Sequence, residues 1–236
     1  MIKLINNEFV KVGYAKILLS YLVFTIVTLF LYILEDYNLE FEFIYKYVMF
    51  IGVYASFLFG GSISNEASKG SFRFYLTKPY KRYKIYLSKL FSIIFYIIFV
   101  SFYIIFLYIL FTGVIDIKVI GNFAVYCIPL ILHSVLILLF STIFKSTSLS
   151  VGIYIFLVMF GLSISQLLFG YGLDFVSYSF LPYLDFCIFY NDFYLEINEL
   201  FNVSLNLSSG IIICLVYFCF LIVIGIFLFT KKDINN

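Results

Sequence analysis

Few side chains in the apolar part of this chain could do acid–base or nucleophilic chemistry. Its long uncharged runs contain one histidine, His133, and one glutamine, Gln166, with no Asp, Glu, Lys or Arg. Membrane enzymes and ion-coupled transporters place ionisable groups inside their spans, because burying such groups is costly without a use. A lone histidine without an intramembrane acid is more often a packing residue with satisfied hydrogen bonds than a proton relay, so we favour packing for His133.

The motifs of known hydrolytic and metal sites are also missing. The sequence has no HExxH pair, no Ser/His/Asp set and no GxxxxGK[ST] phosphate loop. Its cysteines have neither zinc-ligand spacing nor a disulfide framework, and we interpret them as small apolar residues: Cys127, Cys187, Cys214 and Cys219. We therefore expect no catalytic residue, bound cofactor or metal in this chain, and no ATP hydrolysis by the chain itself.

The composition of this chain suits a lipid environment rather than water. Of its 236 residues 64% are hydrophobic and only 12% are charged, whereas soluble domains are about 25% charged. Six uncharged apolar runs are long enough to cross a bilayer as helices. They are residues 17–34, 47–64, 90–115, 119–144, 146–173 and 205–230. We predict an all-α, multi-pass protein with a single transmembrane domain over residues 1–236, and a kink in the fourth span at Pro129.

Lys and Arg residues are concentrated on one side of the predicted spans. Residues 65–89, between the second and third spans, carry seven of the fifteen, and thirteen of the fifteen lie on that side together with both termini. The positive-inside rule makes this side cytoplasmic. No polybasic run stands apart from the membrane loops, so nucleic-acid binding has no support.

The N-terminal segment, residues 1–16, has an amphipathic pattern. Ile2, Ile5, Phe9 and Val12 form one helical stripe and Lys3 and Lys11 lie opposite. This pattern predicts an interfacial helix along the inner leaflet, with a frayed terminus as the alternative. On the other side, residues 170–206 form a long segment without Lys or Arg, for which we expect short extracellular helices broken near Pro182.

Residues 65–89, here called the basic segment, have features that membrane orientation by itself does not require. Glu66 to Leu76 can form a short helix, weakened by Gly70, and Pro79 ends it because the residue before proline avoids the α region. Membrane anchoring by itself explains the later basic residues Lys81, Arg82, Lys84 and Lys89. It does not explain why Glu66, Gly70 and Pro79 stand where they do.

Small residues recur every four positions in the second span. They are Gly52, Ser56, Gly60 and Ser64. This spacing puts them on one helix face, where another helix can approach closely. Two interpretations stay open: a moving or path-lining contact in a transporter, or ordinary packing within the chain.

Together these motifs resemble the permeases of ABC-2 type transporters. The matching pattern is Glu66, Gly70-Ser71, Leu76, Pro79, Lys84 and Lys89, with Glu8-x-x-Lys11 before the first span and Lys231-Lys232 after the last. The resemblance implies a membrane subunit of an ABC exporter: two copies with two copies of a separate ATPase that binds ATP and Mg. It also implies that residues 66–76 are a coupling helix that docks on the ATPase, with these positions at the contact: Glu66, Ser68, Lys69, Gly70, Phe72, Arg73, Leu76 and Pro79.

The uncharged spans favour a hydrophobic or amphipathic peptide as cargo, such as a toxin or an antimicrobial peptide. The resemblance implies the bacterial cytoplasmic membrane as location, where the spans contact lipid. Two other classes stay open. A membrane-embedded enzyme is disfavoured by the lack of ionisable residues in the spans, whereas a non-transporting immunity or scaffold protein needs only the same surfaces.

Overall fold

The computed structural model describes residues 1–34, 42–68, 81–113, 115, 117–189 and 192–231. Throughout these ranges, every regular element is a helix, in agreement with the predicted all-α class. The α-helices are α1 (Ile2–Val12), α2 (Tyr14–Leu34), α3 (Glu42–Phe59), α4 (Ser64–Ser68), α5 (Arg82–Thr112), α6 (Ile117–Tyr126), α7 (Ile128–Ile143), α8 (Thr147–Gly170), α9 (Phe193–Phe201) and α10 (Leu207–Lys231).

Six helical segments in the described part of the chain are long and apolar enough to cross a membrane, as predicted. They are Tyr14–Ile33, Tyr47–Glu66, Arg82–Thr112, Ile120–Ile143, Thr147–Gly170 and Leu207–Lys231. The third differs most from its prediction, because α5 begins at Arg82 rather than at Leu90. With 31 residues, α5 spans about 46 Å, more than the ~30 Å hydrocarbon core. Its first turns can therefore pack against other protein elements beyond the core.

The centre of the bundle is α7, which packs against α3, α5, α8 and α10. It is apolar on nearly all sides and most of its side chains are buried, as expected for a helix surrounded by protein. At the periphery, α2 and α10 leave most of their surface outside the protein core. The fold thus separates a packed centre from peripheral helices whose apolar surface is left uncovered.

The fourth span is interrupted, as Pro129 predicts. Cys127 is a turn residue between α6 and α7, and Pro129 lies in the first turn of α7. Proline has no amide hydrogen and its ring clashes with the preceding turn, so a continuous helix is disfavoured here. It is tolerated at a helix start, where its missing donor has no partner to lose.

The N-terminal helix is present, but its packing differs from the predicted interfacial stripe. The face that α1 buries carries Leu4 and Glu8, whereas Ile2 is 82% exposed. This face packs against α5. Gly13 separates α1 from α2 with φ of 90°, a conformation that glycine adopts at little cost. The chain therefore turns sharply between α1 and α2.

The predicted short helices before the last span are also present. Three 3₁₀ turns, Asp174–Tyr178, Leu181–Tyr183 and Phe186–Phe189, precede α9, and Pro182 lies inside the second turn. Their buried aromatic side chains pack on one another, with the rings of Phe186 and Phe189 5.4 Å apart. This segment packs on α8 and α10.

Candidate coupling site

An acid on α1 is buried against the membrane helices. Glu8 follows Leu4 by one helical turn, so both side chains lie on the same face of α1. Glu8 is only 5% exposed, which is rare for a carboxylate that lacks a partner. Its partners are two lysines, one on α5 and one on α1 itself.

The first partner is Lys89, two turns into α5 and 1% exposed. Its ammonium nitrogen donates to Glu8 Oε2 at 2.8 Å, to Glu66 Oε1 at 2.9 Å and to the carbonyl of Ser62 at 3.0 Å. An ammonium group has three donors, so these acceptors match them one for one. The sequence interpretation of Lys89 as a headgroup anchor is therefore wrong: its side chain points into the protein.

The second partner is Lys11, on the same helix as Glu8. Its ammonium lies 2.7 Å from Glu8 Oε1 and 2.6 Å from Glu66 Oε1. Lys11 is the more accessible of the two lysines, with a side chain that is 36% exposed. Glu8, Lys11, Glu66 and Lys89 together form an alternating ring of two carboxylates and two ammonium groups, here called the ion cluster.

The electrostatics of the ion cluster favour the fully charged state. Burial by itself raises the pKa of the Glu8 carboxyl, but the ammonium groups of Lys89 and Lys11 outweigh burial, and the pKa falls below its ordinary value of 4.5. Removing charges from water is costly, and it is repaid only when the geometry is good and the donors are satisfied. At Lys89 the geometry is good and all three donors have acceptors. Because the ion cluster contains two negative and two positive charges, removing any one of them would leave a buried net charge.

The ion cluster lies where the basic segment begins. Glu66 belongs to α4, and the same short stretch is held by α7 and α8. Ser141 Oγ of α7 accepts the amide hydrogens of Ile63 and Ser64 at 3.0 and 3.2 Å. Thr147, the first residue of α8, donates to Asn65 Oδ1 at 2.6 Å. The start of the basic segment is thus bonded to α1, α5, α7 and α8.

The other end of the basic segment is fixed to the last span. Arg82 Nη1 donates to the carbonyl of Thr230 at 2.7 Å, near the C-terminus of α10, where helical carbonyls lack partners within the helix. One turn later, the fully buried ring of Tyr86 packs on Phe229, with ring centroids 5.8 Å apart. Arg82 therefore has a specific protein contact, which the sequence interpretation as a membrane anchor did not include.

The predicted small-residue face of the second span packs inside the chain. Its members are Gly52, Ser56, Gly60 and Ser64. A Cβ atom on Gly52 would lie 2.5 Å from His133 Nδ1 and 2.6 Å from the Tyr154 hydroxyl. Only a glycine therefore permits this approach of α3 to α7 and α8.

The rest of this face makes similar contacts. A Cβ on Gly60 would lie 2.5 Å from Val151 Cγ2 of α8, and Ser150 donates to the Gly60 carbonyl at 3.2 Å. Ser56 is fully buried, and the amide of Ser64 is bonded to α7 as described above. These contacts correspond to packing within the chain, and a role of the face in translocation stays a prediction.

Most of the predicted coupling residues lie outside the described part of the chain. Glu66 and Ser68 are in α4, which begins two residues before the predicted helix. The others fall in the range that the structure does not describe: Lys69, Gly70, Phe72, Arg73, Leu76 and Pro79. Their assignment to an ATPase contact stays a prediction.

His133 is a buried residue with both ring nitrogens hydrogen-bonded. Nδ1 lies 2.7 Å from the Tyr154 hydroxyl and Nε2 lies 2.9 Å from the carbonyl of Leu184. A carbonyl can only accept, so Nε2 carries the proton and Nδ1 accepts from Tyr154. The side chain therefore joins α7 to α8 and to the segment before the last span, which agrees with the packing interpretation.

Sequence reasoning missed the pairing of Glu8 with Lys89, although a signal was present. Ile85, Tyr86, Lys89 and Ile93 share one face of α5, and the other three are buried apolar residues. A lysine on an apolar stripe needs a counter-charge. The N-terminal segment contains a single acid, Glu8, which makes it the natural candidate.

Comparison with known protein families assigns the chain to a class. A family model described as ABC-2 family transporter protein matches residues 44–234. The matched range includes Glu66 and Lys89, whereas Glu8 and Lys11 precede it. No curated protein and no solved structure matches the chain. Six apolar helices and a family match over most of its length show that this multi-pass membrane protein belongs to the ABC-2 family of transporter proteins.

Proposed function

We propose that this chain is the permease subunit of an ATP-driven exporter. Two copies would form the translocation path and two copies of a separate ATPase would bind ATP and Mg. Three features support the proposal: membership of the ABC-2 family, six apolar helices, and the lack of a phosphate loop in the sequence. Family members generally pair with an ABC ATPase.

The observation that carries the proposal furthest is the bonding of Glu66. This residue stands at the start of the basic segment that the family resemblance assigns to ATPase docking. Its Oε1 atom contacts the ammonium groups of Lys11 and Lys89. A displacement of the docked segment would therefore act through the ion cluster on α1 and on the first turns of α5. Charge-assisted hydrogen bonds are shorter and roughly twice as strong as neutral ones, which favours such a transmission.

A second route would lead from the same segment into the centre of the bundle. Ser141 on α7 holds the backbone at Ile63 and Ser64. Movement of α4 would thus reach α7, the most enclosed helix, as well as the close contact of α3 with α8. The proposed cargo is a hydrophobic or amphipathic peptide, because the spans offer apolar contacts and few charges.

The first experiment is co-expression of this chain with a neighbouring ABC ATPase, followed by purification through a tag on this chain. We expect the ATPase to copurify in equal amount. ATP-dependent uptake of labelled amphipathic peptides into inverted vesicles then tests export. If no ATPase copurifies, the proposal fails. Protection of cells from a peptide without any ATP-dependent movement would favour an immunity protein.

The second experiment separates coupling from folding and docking. Glu66→Gln removes the charge that meets Lys89 and Lys11 while keeping the shape of the side chain. We expect the ATPase still to copurify and to hydrolyse ATP, with peptide uptake reduced at least ten-fold. Glu196→Gln, on the exposed face of α9, is the matched control and should transport normally. Equal uptake by both variants would remove Glu66 from the coupling path.

A further inference from the structure

A cleft of about 410 Å³ opens beside the ion cluster. Its walls come from the junction of α1 and α2, the end of α3, α4 and the start of α8. The lining contains both polar and apolar groups. Lys11, Lys16, Asn65 and Thr147 contribute polar groups, whereas Val12 and Phe57 contribute apolar surface.

The charges of the described residues around this cleft do not cancel. Glu8 and Glu66 line it, but the ion cluster balances them with Lys11 and Lys89. Lys16 adds one further positive charge to the lining. It is exposed and, among the described residues, makes no ion pair. The excess charge of these five residues is therefore +1, which favours an anionic ligand.

The apolar wall gives the cleft a second property. Phe57 is 62% exposed and lies in the last turn of α3, close to the level at which α2 begins. The cleft thus combines a cation with an aromatic surface at the ends of two spans, where headgroups of a bilayer meet acyl chains.

We propose that this cleft binds the headgroup of an anionic phospholipid. Lys16 would contact the phosphate, and the upper part of an acyl chain would lie along Phe57 and Val12. A soluble phosphate ester would use the same cation but would leave the apolar wall in water. In the orientation that the positive-inside rule predicts, the bound lipid belongs to the inner leaflet. The site does not depend on the transport function.

The test measures lipid retention by the purified full-length chain. The protein is exchanged into neutral detergent, mixed with phosphatidylglycerol or phosphatidylcholine of identical acyl chains, and examined by native mass spectrometry. We expect one phosphatidylglycerol to bind more tightly than phosphatidylcholine. Lys16→Gln should weaken it about five-fold, the effect of one basic residue near an anionic membrane surface. Lys3→Gln, an exposed lysine of α1 outside the cleft, should leave it unchanged.

A second pair of variants distinguishes lipid from a soluble phosphate ester. Phe57→Ala removes the apolar wall, and Phe50→Ala removes an equally exposed ring two turns away on α3. Weaker phosphatidylglycerol binding in Phe57→Ala alone supports the lipid site. Displacement of the lipid by millimolar glycerol phosphate, with no effect of Phe57→Ala, would overturn it. Equal binding by Lys16→Gln and Lys3→Gln would overturn it as well.

Discussion

The ammonium of Lys89 lies 2.8 Å from the carboxylate of Glu8, although the two residues are 81 positions apart in the sequence. The contact joins the N-terminal helix to the third span in a place that water hardly reaches. Both side chains are buried. Their pairing makes α1 part of the folded bundle rather than an independent helix on the membrane surface.

Lys89→Met should destabilise the fold strongly. It removes one charge and leaves the ion cluster with two carboxylates and a single ammonium group, and breaking a buried pair in this way costs about 3–5 kcal/mol. The free energy of unfolding can be measured by SDS titration in mixed micelles. Lys84→Met, on the exposed side of the same helix, serves as the control and should change it by less than about 0.5 kcal/mol. Equal midpoints for both variants would falsify the structural role of Lys89.

Glu8 should make stability dependent on acid pH. Its pKa in the folded chain is lower than its ordinary value of 4.5, so the unfolded chain takes up the proton first. The stabilisation by Glu8 is therefore complete above pH 4.5 and is lost as the pH falls through the lower, folded-state pKa. We expect Glu8→Gln to be less stable than the wild type at pH 7, with the difference shrinking in acid. A difference that is the same at every pH would contradict this assignment.

Gly52→Ala should disturb the contact of α3 with the His133–Tyr154 pair. The added methyl would lie 2.5 Å from His133 Nδ1, and overpacking of this kind costs about 1–3 kcal/mol. Gly152→Ala on α8 is the matched change, because its Cβ meets open space, and alanine is the better helix former. Thermal unfolding of the two variants should therefore move in opposite directions. A stabilised Gly52→Ala would show that the close contact is absent.

His133 should be observed as the neutral tautomer with the proton on Nε2. It is the only histidine of the chain, so ¹⁵N labelling of histidine yields a single pair of ring signals whose shifts identify the tautomer. Tyr154→Phe removes the donor to Nδ1, and we expect a loss of about 0.6–1.7 kcal/mol, the range for hydrogen bonds between membrane helices. Tyr171→Phe, at a 77% exposed position, should cost nothing. A proton found on Nδ1 would refute the assigned hydrogen bonds.

Much of the fold was predictable because hydropathy and proline act locally. The six spans follow from runs of apolar residues, and Pro129 indicates the break in the fourth span from its missing donor alone. The glycines of the second span indicated a close helix contact, yet they did not identify its partner. Nothing near Gly52 in the sequence points to Tyr154, which comes from another span.

The candidate site was less predictable, because its charges come from separate elements. Glu66 was singled out by its place in the basic segment, and Glu8 and Lys11 by their resemblance to a family pattern. Lys89 was misinterpreted, since its position before an apolar run suggested headgroup contact and the apolar stripe that it shares on α5 was overlooked. The contact of Arg82 with a backbone carbonyl of the last span was not predicted either, because its acceptor is far away in the sequence.

The sequence by itself determined that this chain is a helical membrane protein with six spans, since the cost of exposing backbone groups to lipid permits little else. It also determined on which side the cations gather. Only the tertiary structure decided that Lys89 pairs with Glu8 and Glu66 instead of lipid phosphate. The reason is that burial and counter-charge at Lys89 depend on how α1 and α4 pack against α5, and no local pattern encodes that packing.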